Sequence, residues 1–221
     1  MIMNILRKIF YYSFSLLFCL RYLPVRQAIK VPILIWPPII IGELHKGSII
    51  LNGKIKRSMI VWGFMGSEGR AKSKTRISIH SSGKLILGSG ITIARGTSII
   101  IDKGEISIGD NFFCNSDCFF SCNSRINIGT NNMYGWNINF NTTDGHHVYE
   151  NGIIKPNNGP ISIGNHVWIG SYCNLAKNVV IADGCVISQK SLLLNKFCNK
   201  NMLIAGIPAK ELKENISWTG K

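Results

Sequence analysis

Between residues 161 and 194 an aliphatic side chain recurs at every sixth position: Ile163, Ile169, Leu175, Ile181, Ile187 and Leu193. Two places before each stands a residue of modest size: Ile161, Val167, Cys173, Val179, Cys185 or Ser191. The residue after each is small at Gly164, Gly170, Ala176, Ala182 and Ser188, with Leu194 the exception. A period of six is neither the helical 3.6 nor the alternation of one long strand. It predicts a short strand, a corner and another short strand, three times in each turn of about 18 residues. The aliphatic residue and its partner two places earlier then point to the same side, filling the inside of a triangular prism. The small residue takes the corner, where a bulky side chain is disfavoured. Turns stack by parallel strand pairing, so stability is close to a sum over neighbours.

The same frame runs backwards with slips. Leu87, Ile93 and Ile99 form one turn, Ile108, Cys114 and Phe120 the next, and Ile128, Tyr134 and Phe140 a third. The first members lie 21 and then 20 residues apart, so small loops of 3 and 2 residues bulge from corners. From Ile128 to Ile163 the spacing is 35, which is 17 more than one turn. An insertion of that size in a regular solenoid is usually functional, and it falls within residues 141–160. The repeats predict a prism over 46–205, carrying this loop, and a short helical tail over 206–221.

Ahead of the prism, Arg7 and Lys8 precede an apolar run from Ile9 to Leu20. It resembles a signal-peptide core, but Arg21, Tyr22, Leu23 and Pro24 follow in place of a small-residue cleavage site. It is shorter than the roughly 20 apolar residues that span a bilayer. A second run, Val31 to Ile41, is broken by Pro32, Pro37 and Pro38. The expectation is an N-terminal segment over 1–45 with a surface helix over 1–24. That helix lies either on a membrane, with Arg7, Lys8, Arg21, Arg26 and Lys30 toward anionic lipid, or on the prism as a cap over its first turn.

Charge sharpens this division. The 221 residues carry 25 Lys and Arg against 11 Asp and Glu, a formal +14. Residues 1–76 hold 13 basic and 2 acidic residues, and the remainder hold 12 and 9. The basic front faces something anionic or is a solvated face; nucleic acid is not expected as a partner. With 46% hydrophobic and 16% charged residues, disorder throughout is excluded. The seven cysteines, 19, 114, 118, 122, 173, 185 and 198, show no zinc-ribbon spacing. Cys114, Cys118, Cys173 and Cys185 fall on interior positions of the prism. Buried free thiols in a reducing compartment fit best, and the expected location is cytoplasmic, with peripheral contact to the inner face of the cytoplasmic membrane as an option.

The insertion carries the candidate chemistry, Asp144-Gly-His-His-Val. Two histidines on an inserted polar loop are candidates for a general base, a role that imidazole suits. His146 is the first choice and His147 the second. Asp144, two residues before His146, either orients the ring or is a turn-forming residue before Gly145.

The run Ile161-Ser-Ile-Gly-Asn-His-Val-Trp-Ile-Gly and the later Ala205-Gly-Ile-Pro-Ala-Lys resemble the hallmark turn and closing motif of the hexapeptide-repeat acyltransferases. The resemblance covers roughly residues 77–216, and Asp144-Gly-His-His-Val points to the polysaccharide and lipopolysaccharide O-acetyltransferase branch. It implies an all-β fold, a left-handed parallel β-helix, since handedness does not follow from periodicity and the usual crossover is right-handed. It implies acetyl-CoA as acyl donor, no metal, a homotrimer with sites between subunits, and a glycan or lipid-linked glycan acceptor. Gly145-His146 matches the family's Gly-His pair. Asn137 matches an acceptor-contacting asparagine, or is an exposed corner residue. Trp168, pointing outward beside Ile169, is implied to meet the pantetheine arm or acceptor, or else a neighbouring subunit, and Ser171 the thioester region. Lys210 and Lys213 match positions meeting the nucleotide end, with Lys177 and Lys190 as weaker candidates. His166 is read as surface or interface. Where relatives carry Gly-Ala-Gly-Ser, this chain has Ser188-Gln189-Lys190-Ser191, which would reshape the donor channel.

The reading is an O-acetyltransferase acting on a sugar hydroxyl of a cell-surface polysaccharide or its precursor by direct attack. N-acetylation of an amino sugar and a non-enzymatic scaffold are the alternatives. A carbonic anhydrase of this fold would need three histidine ligands gathered between subunits. A sugar-nucleotide transferase would need a glycine-rich nucleotide domain, which residues 1–76 lack.

Overall fold

The computed structural model describes residues 2–65, 73–80 and 82–220. The chain winds as a three-sided prism of parallel strands. Face 1 carries the strands 33–35, 60–64, 91–94, 113–114, 133–134, 168–169, 186–187 and 203–206. Face 2 runs from 39–41 through 75–79, 98–101, 119–122, 139–141 and 174–175 to 192–193. Face 3 runs from 49–51 through 84–87, 105–108, 125–128, 161–163 and 180–181 to 196–197.

Every inward position named from the hexad is buried, from Leu87 and Ile93 to Ile187 and Leu193. The pairing keeps one register across the long insertion: Ile128 faces Ile163, Tyr134 faces Ile169 and Phe140 faces Leu175. Large side chains fill the prism where the hexad admits aromatics. Phe120 and Phe140 stack with centroids 4.5 Å apart, and Tyr134 lies 5.6 Å from Phe140.

The corners repeat as regularly as the core. Between faces 3 and 1, each turn from Gly90 onward holds one residue at positive φ: Gly90, Asn111, Asn131, His166, Gly184 and Asn201. Asn and Gly reach that conformation at the least cost. The corner glycines answer a second demand, close stacking: a Cβ on Gly129 would sit 2.6 Å from the Gly164 carbonyl oxygen of the next turn.

The prism starts earlier than the repeat pattern indicates. Ile33–Ile35 and Ile39–Ile41, assigned above to the N-terminal segment, are the first strands of faces 1 and 2, in register with Ile60–Trp62 and Thr75–Ile77. Pro37 and Pro38 fall in the corner between them, where no ladder donor is needed. The tail also differs from expectation. In place of a helix, Leu203–Gly206 and Ala209–Lys213 form an antiparallel hairpin. Pro208 lacks the N–H a helix would use, Gly206 sits at φ +112, and the returning strand satisfies the open edge of 203–206. Beyond it, Trp218 lies flat on His166 at 4.2 Å, and its indole N–H donates to the His166 carbonyl at 2.9 Å.

Helix α1, Ile2–Tyr22, and the single turn α2, Val25–Ala28, cover the first turn. Ser15, Phe18, Cys19, Tyr22 and Leu23 are buried. The Ser15 hydroxyl accepts from the Ile35 N–H at 2.8 Å and donates to the Tyr11 carbonyl at 2.6 Å. One face of α1 is therefore a cap over the open end of face 1.

Candidate functional site

Among the described residues two features bear on the candidate chemistry, and they occupy different corners. The first is a groove of about 600 Å³ on the outer side of face 1, extending to its corner with face 2. Phe113, Met133, Trp168, Val186 and Leu203 line it. They form one row across successive turns: Phe113 pairs with Met133, Met133 with Trp168, Trp168 with Val186, and Val186 with Leu203. Each sits one residue before an inward side chain, so strand alternation turns it outward. The rule that places Trp168 outside identifies the other four as well, although no motif marks them. Trp168 is 41% exposed.

The groove's polar wall is the corner. Ser171 is buried, and its hydroxyl accepts from the Trp136 N–H at 3.2 Å. Ser188 and Gln189 line the same wall, so the departure from the family's small residues does sit on the groove. Asn137 and Lys190 both hold the positive-φ position of this corner, at φ 57 and 61, as Tyr172 does between them. That geometry is a structural reason for Asn137 in addition to any contact it makes. The Lys190 backbone N–H donates to the Ser171 carbonyl at 2.9 Å, and its exposed side chain leaves beside Gln189. Lys210 and Lys213 lie on the hairpin strand bordering face 1, with Lys213 opposite the groove residue Leu203. All three lysines are exposed.

The second feature is the inserted loop, which leaves the corner between faces 2 and 3. Thr143 pairs with Asn158 at its base, and Tyr149–Glu150 and Ile153–Ile154 form a small hairpin at its tip. His146 and His147 are exposed, and neither side chain is hydrogen-bonded among the described residues. Asp144 has a different partner from the one the sequence suggests. Its Oδ2 lies 2.5 Å from Lys177 Nζ, and its N–H donates to the Asn157 carbonyl at 2.8 Å. Lys177 comes from the face 2 to face 3 corner of the next turn, and the pair ties the loop to the prism. The expected Asp144–His146 contact is thus replaced by an ion pair, because Lys177, at the face 2 to face 3 corner of the turn that carries Trp168, stands directly beside the loop's base. For the same reason Lys177 belongs with the histidine loop and not with the groove.

Within one chain, then, Trp168 and Ser171 line the groove, with Lys190 beside it and Lys210 and Lys213 on its border. Asp144, His146, His147 and Lys177 are gathered at the loop. None of residues 142–160 lines the groove. No cysteine lines it either. Burial pushes the thiols of Cys19 and Cys173 up to about 11, and those of Cys114, Cys122 and Cys185 upward as well. Cys198 alone is exposed among the cysteines.

The model of the bacterial transferase hexapeptide (six repeats) matches residues 160–195. Galactoside O-acetyltransferase of Escherichia coli (strain K12) is 34% identical over 114 residues, 50% of this chain and 54% of that protein. Polysialic acid O-acetyltransferase of Neisseria meningitidis is 34% identical over 146 residues, 65% and 59% of the two chains. The match thus spans less than two thirds of either relative's length. An acetyltransferase-like protein of Dictyostelium discoideum is 31% identical over 134 residues, 59% of this chain and 70% of that one. With the repeat, the prism and these relatives in agreement, the chain belongs to the hexapeptide-repeat acyltransferase family and has its left-handed parallel β-helix fold.

Proposed function

We propose that this protein is an acetyl-CoA-dependent O-acetyltransferase whose acceptor is a sugar hydroxyl of a cell-surface polysaccharide or its precursor. The observation that carries this reading is the pairing of an apolar-floored groove on face 1 with the histidine-bearing inserted loop of the same prism. The relatives named for galactoside and polysialic acid O-acetylation support a saccharide hydroxyl as acceptor.

In this reading the donor's acyl-pantetheine arm lies along Phe113, Met133, Trp168, Val186 and Leu203, burying apolar surface against apolar surface. Ser171 stands at the thioester end. Lys190, Lys210 and Lys213 meet the phosphates as point charges. Asn137 and Trp168 contact the acceptor. His146 takes the proton from the acceptor hydroxyl as the oxygen attacks the thioester carbonyl. The C–S bond then breaks, and the imidazolium returns its proton to the departing thiolate. A hydroxyl is a poor nucleophile at neutral pH, so this base removes the main obstacle.

Loop and groove sit on different corners of one chain, so the reaction needs the loop of one copy against the groove of a neighbour. A ring of heterologous contacts supplies that, and in this reading the ring closes as a homotrimer.

The test uses the full chain with acetyl-CoA and oligosaccharide acceptors. His146→Ala lowers turnover by about 100-fold or more, the usual scale for a lost general base, while calorimetric acetyl-CoA binding stays near normal. Acetyl label retained on denatured protein after exposure to acetyl-CoA alone would refute direct attack. Full activity in His146→Ala with loss in His147→Ala would move the base by one residue.

A further inference from the structure

We propose that the outer face of α1 is a membrane-docking surface that lies in the plane of an anionic lipid bilayer, and this goes beyond the acetyl-transfer reading. A helix that only caps a prism buries one face and turns a polar face to water. α1 does the first and not the second. Ser15, Phe18, Cys19 and Tyr22 point into the first turn. On the opposite side Leu6, Ile9, Phe10, Leu17 and Leu20 are exposed, Phe10 by 57% and Leu17 by 67%. At 100° per residue these five, with Ser13 among them, fall on one stripe. Val25 and Ile29 extend the exposed apolar surface beyond the end of α1.

The charges around the stripe select the occupant. Arg7, Lys8 and Arg21 stand on α1, and Arg26 and Lys30 follow it, all exposed. No acidic residue occurs before Glu43. A second copy docking on this face would bring two sets of cations together with no carboxylate between them. A nucleic acid would leave the apolar stripe unpaired. An anionic bilayer satisfies both parts, taking the apolar stripe at the acyl boundary and the cations at the headgroups. No described helix is long and apolar enough to cross a membrane, so the helix lies flat. Phe10, on the stripe and 57% exposed, provides an aromatic at the depth where it is favoured.

Flotation of the full chain with phosphatidylcholine vesicles, alone or with about one third phosphatidylglycerol, tests this. Binding is expected at least tenfold tighter on the anionic vesicles and weaker at 0.5 M salt, where screening shortens the charge interaction. Phe10→Asp with Leu17→Asp abolishes binding without changing the circular dichroism or melting temperature, because neither side chain is part of the core. Arg7→Gln and Arg21→Gln, which flank the stripe, each weaken it roughly fivefold. The proposal is overturned if the parent protein ignores anionic vesicles, if it binds both compositions equally, or if the double aspartate variant binds as the parent does. It is also overturned if that variant lowers the assembly mass in sedimentation, since the face then belongs to a second copy.

Discussion

The ion pair between Asp144 and Lys177 decides how the histidine loop is held, and its removal separates two roles for Asp144. The distance is 2.5 Å, and the side chains are 37% and 21% exposed. A pair in partial contact with water contributes about 0.2–1 kcal/mol after screening and side-chain entropy. At about 1.4 kcal/mol per factor of ten, losing it shifts the loop's population by roughly fivefold at most. Asp144→Asn and Lys177→Met are therefore expected to lower kcat/KM by similar, modest factors. The double variant should lose no more than either alone, because one interaction is removed once. Both effects shrink at high salt. Initial rates at saturating acetyl-CoA, with acceptor varied, give the four corners of the cycle. If Asp144 orients the base, Asp144→Asn costs orders of magnitude, the scale seen when a triad carboxylate is neutralised, and Lys177→Met costs nothing. That outcome would falsify the anchoring role.

Other expectations follow from the same structure. Phe140→Ala removes a fully buried ring stacked on Phe120 and should lower unfolding free energy by about 3–5 kcal/mol; a loss under about 1 kcal/mol by denaturant titration would contradict the packing. Ile169→Asp places an unpaired charge in the prism at a cost of several kcal/mol and should yield no folded protein by circular dichroism. Thiol titration of the native chain should find one fast cysteine, Cys198, and seven after denaturation. Cys19 and Cys173 ionise near 9.0 when unfolded and at about 11 in the fold, so between these values the folded state holds more protons. Stability then falls as pH rises through that window, by up to about 1.4 kcal/mol per unit per thiol, and a melting temperature flat from pH 8 to 11 would refute it. Mixing His146→Ala chains with Ser188→Trp chains, each inactive alone, should recover about one quarter of the activity if loop and groove come from different copies. No recovery would place both in one chain.

The hexad from Ile163 to Leu193 was legible because it is a local rule: each interior position follows from counting six along the chain, and stacking neighbours buries it whatever the rest does. The same counting isolated residues 141–160 as an insertion and brought out His146 and His147. Outward alternation also contained Phe113, Met133, Val186 and Leu203, but only stacking turned four scattered residues and Trp168 into one groove. Other features were not local. The turn through Ile33 and Ile39 was hidden because Pro37, Pro38 and the 15-residue spacing from Trp62 to Ile77 break the count, and cross-turn pairing of Ile35 with Trp62 restores it. The tail became a hairpin because the strand 203–206 had an open edge to satisfy, a demand invisible in its own residues. Asp144 found Lys177, 33 residues away, because one turn of the prism carries that lysine past the base of the loop. Sequence by itself determined which side chains face inward and where the prism is interrupted, since both depend on spacing alone. Only the tertiary structure decided what stands beside each interruption, because a corner's neighbours belong to the adjoining turns and not to the adjoining residues.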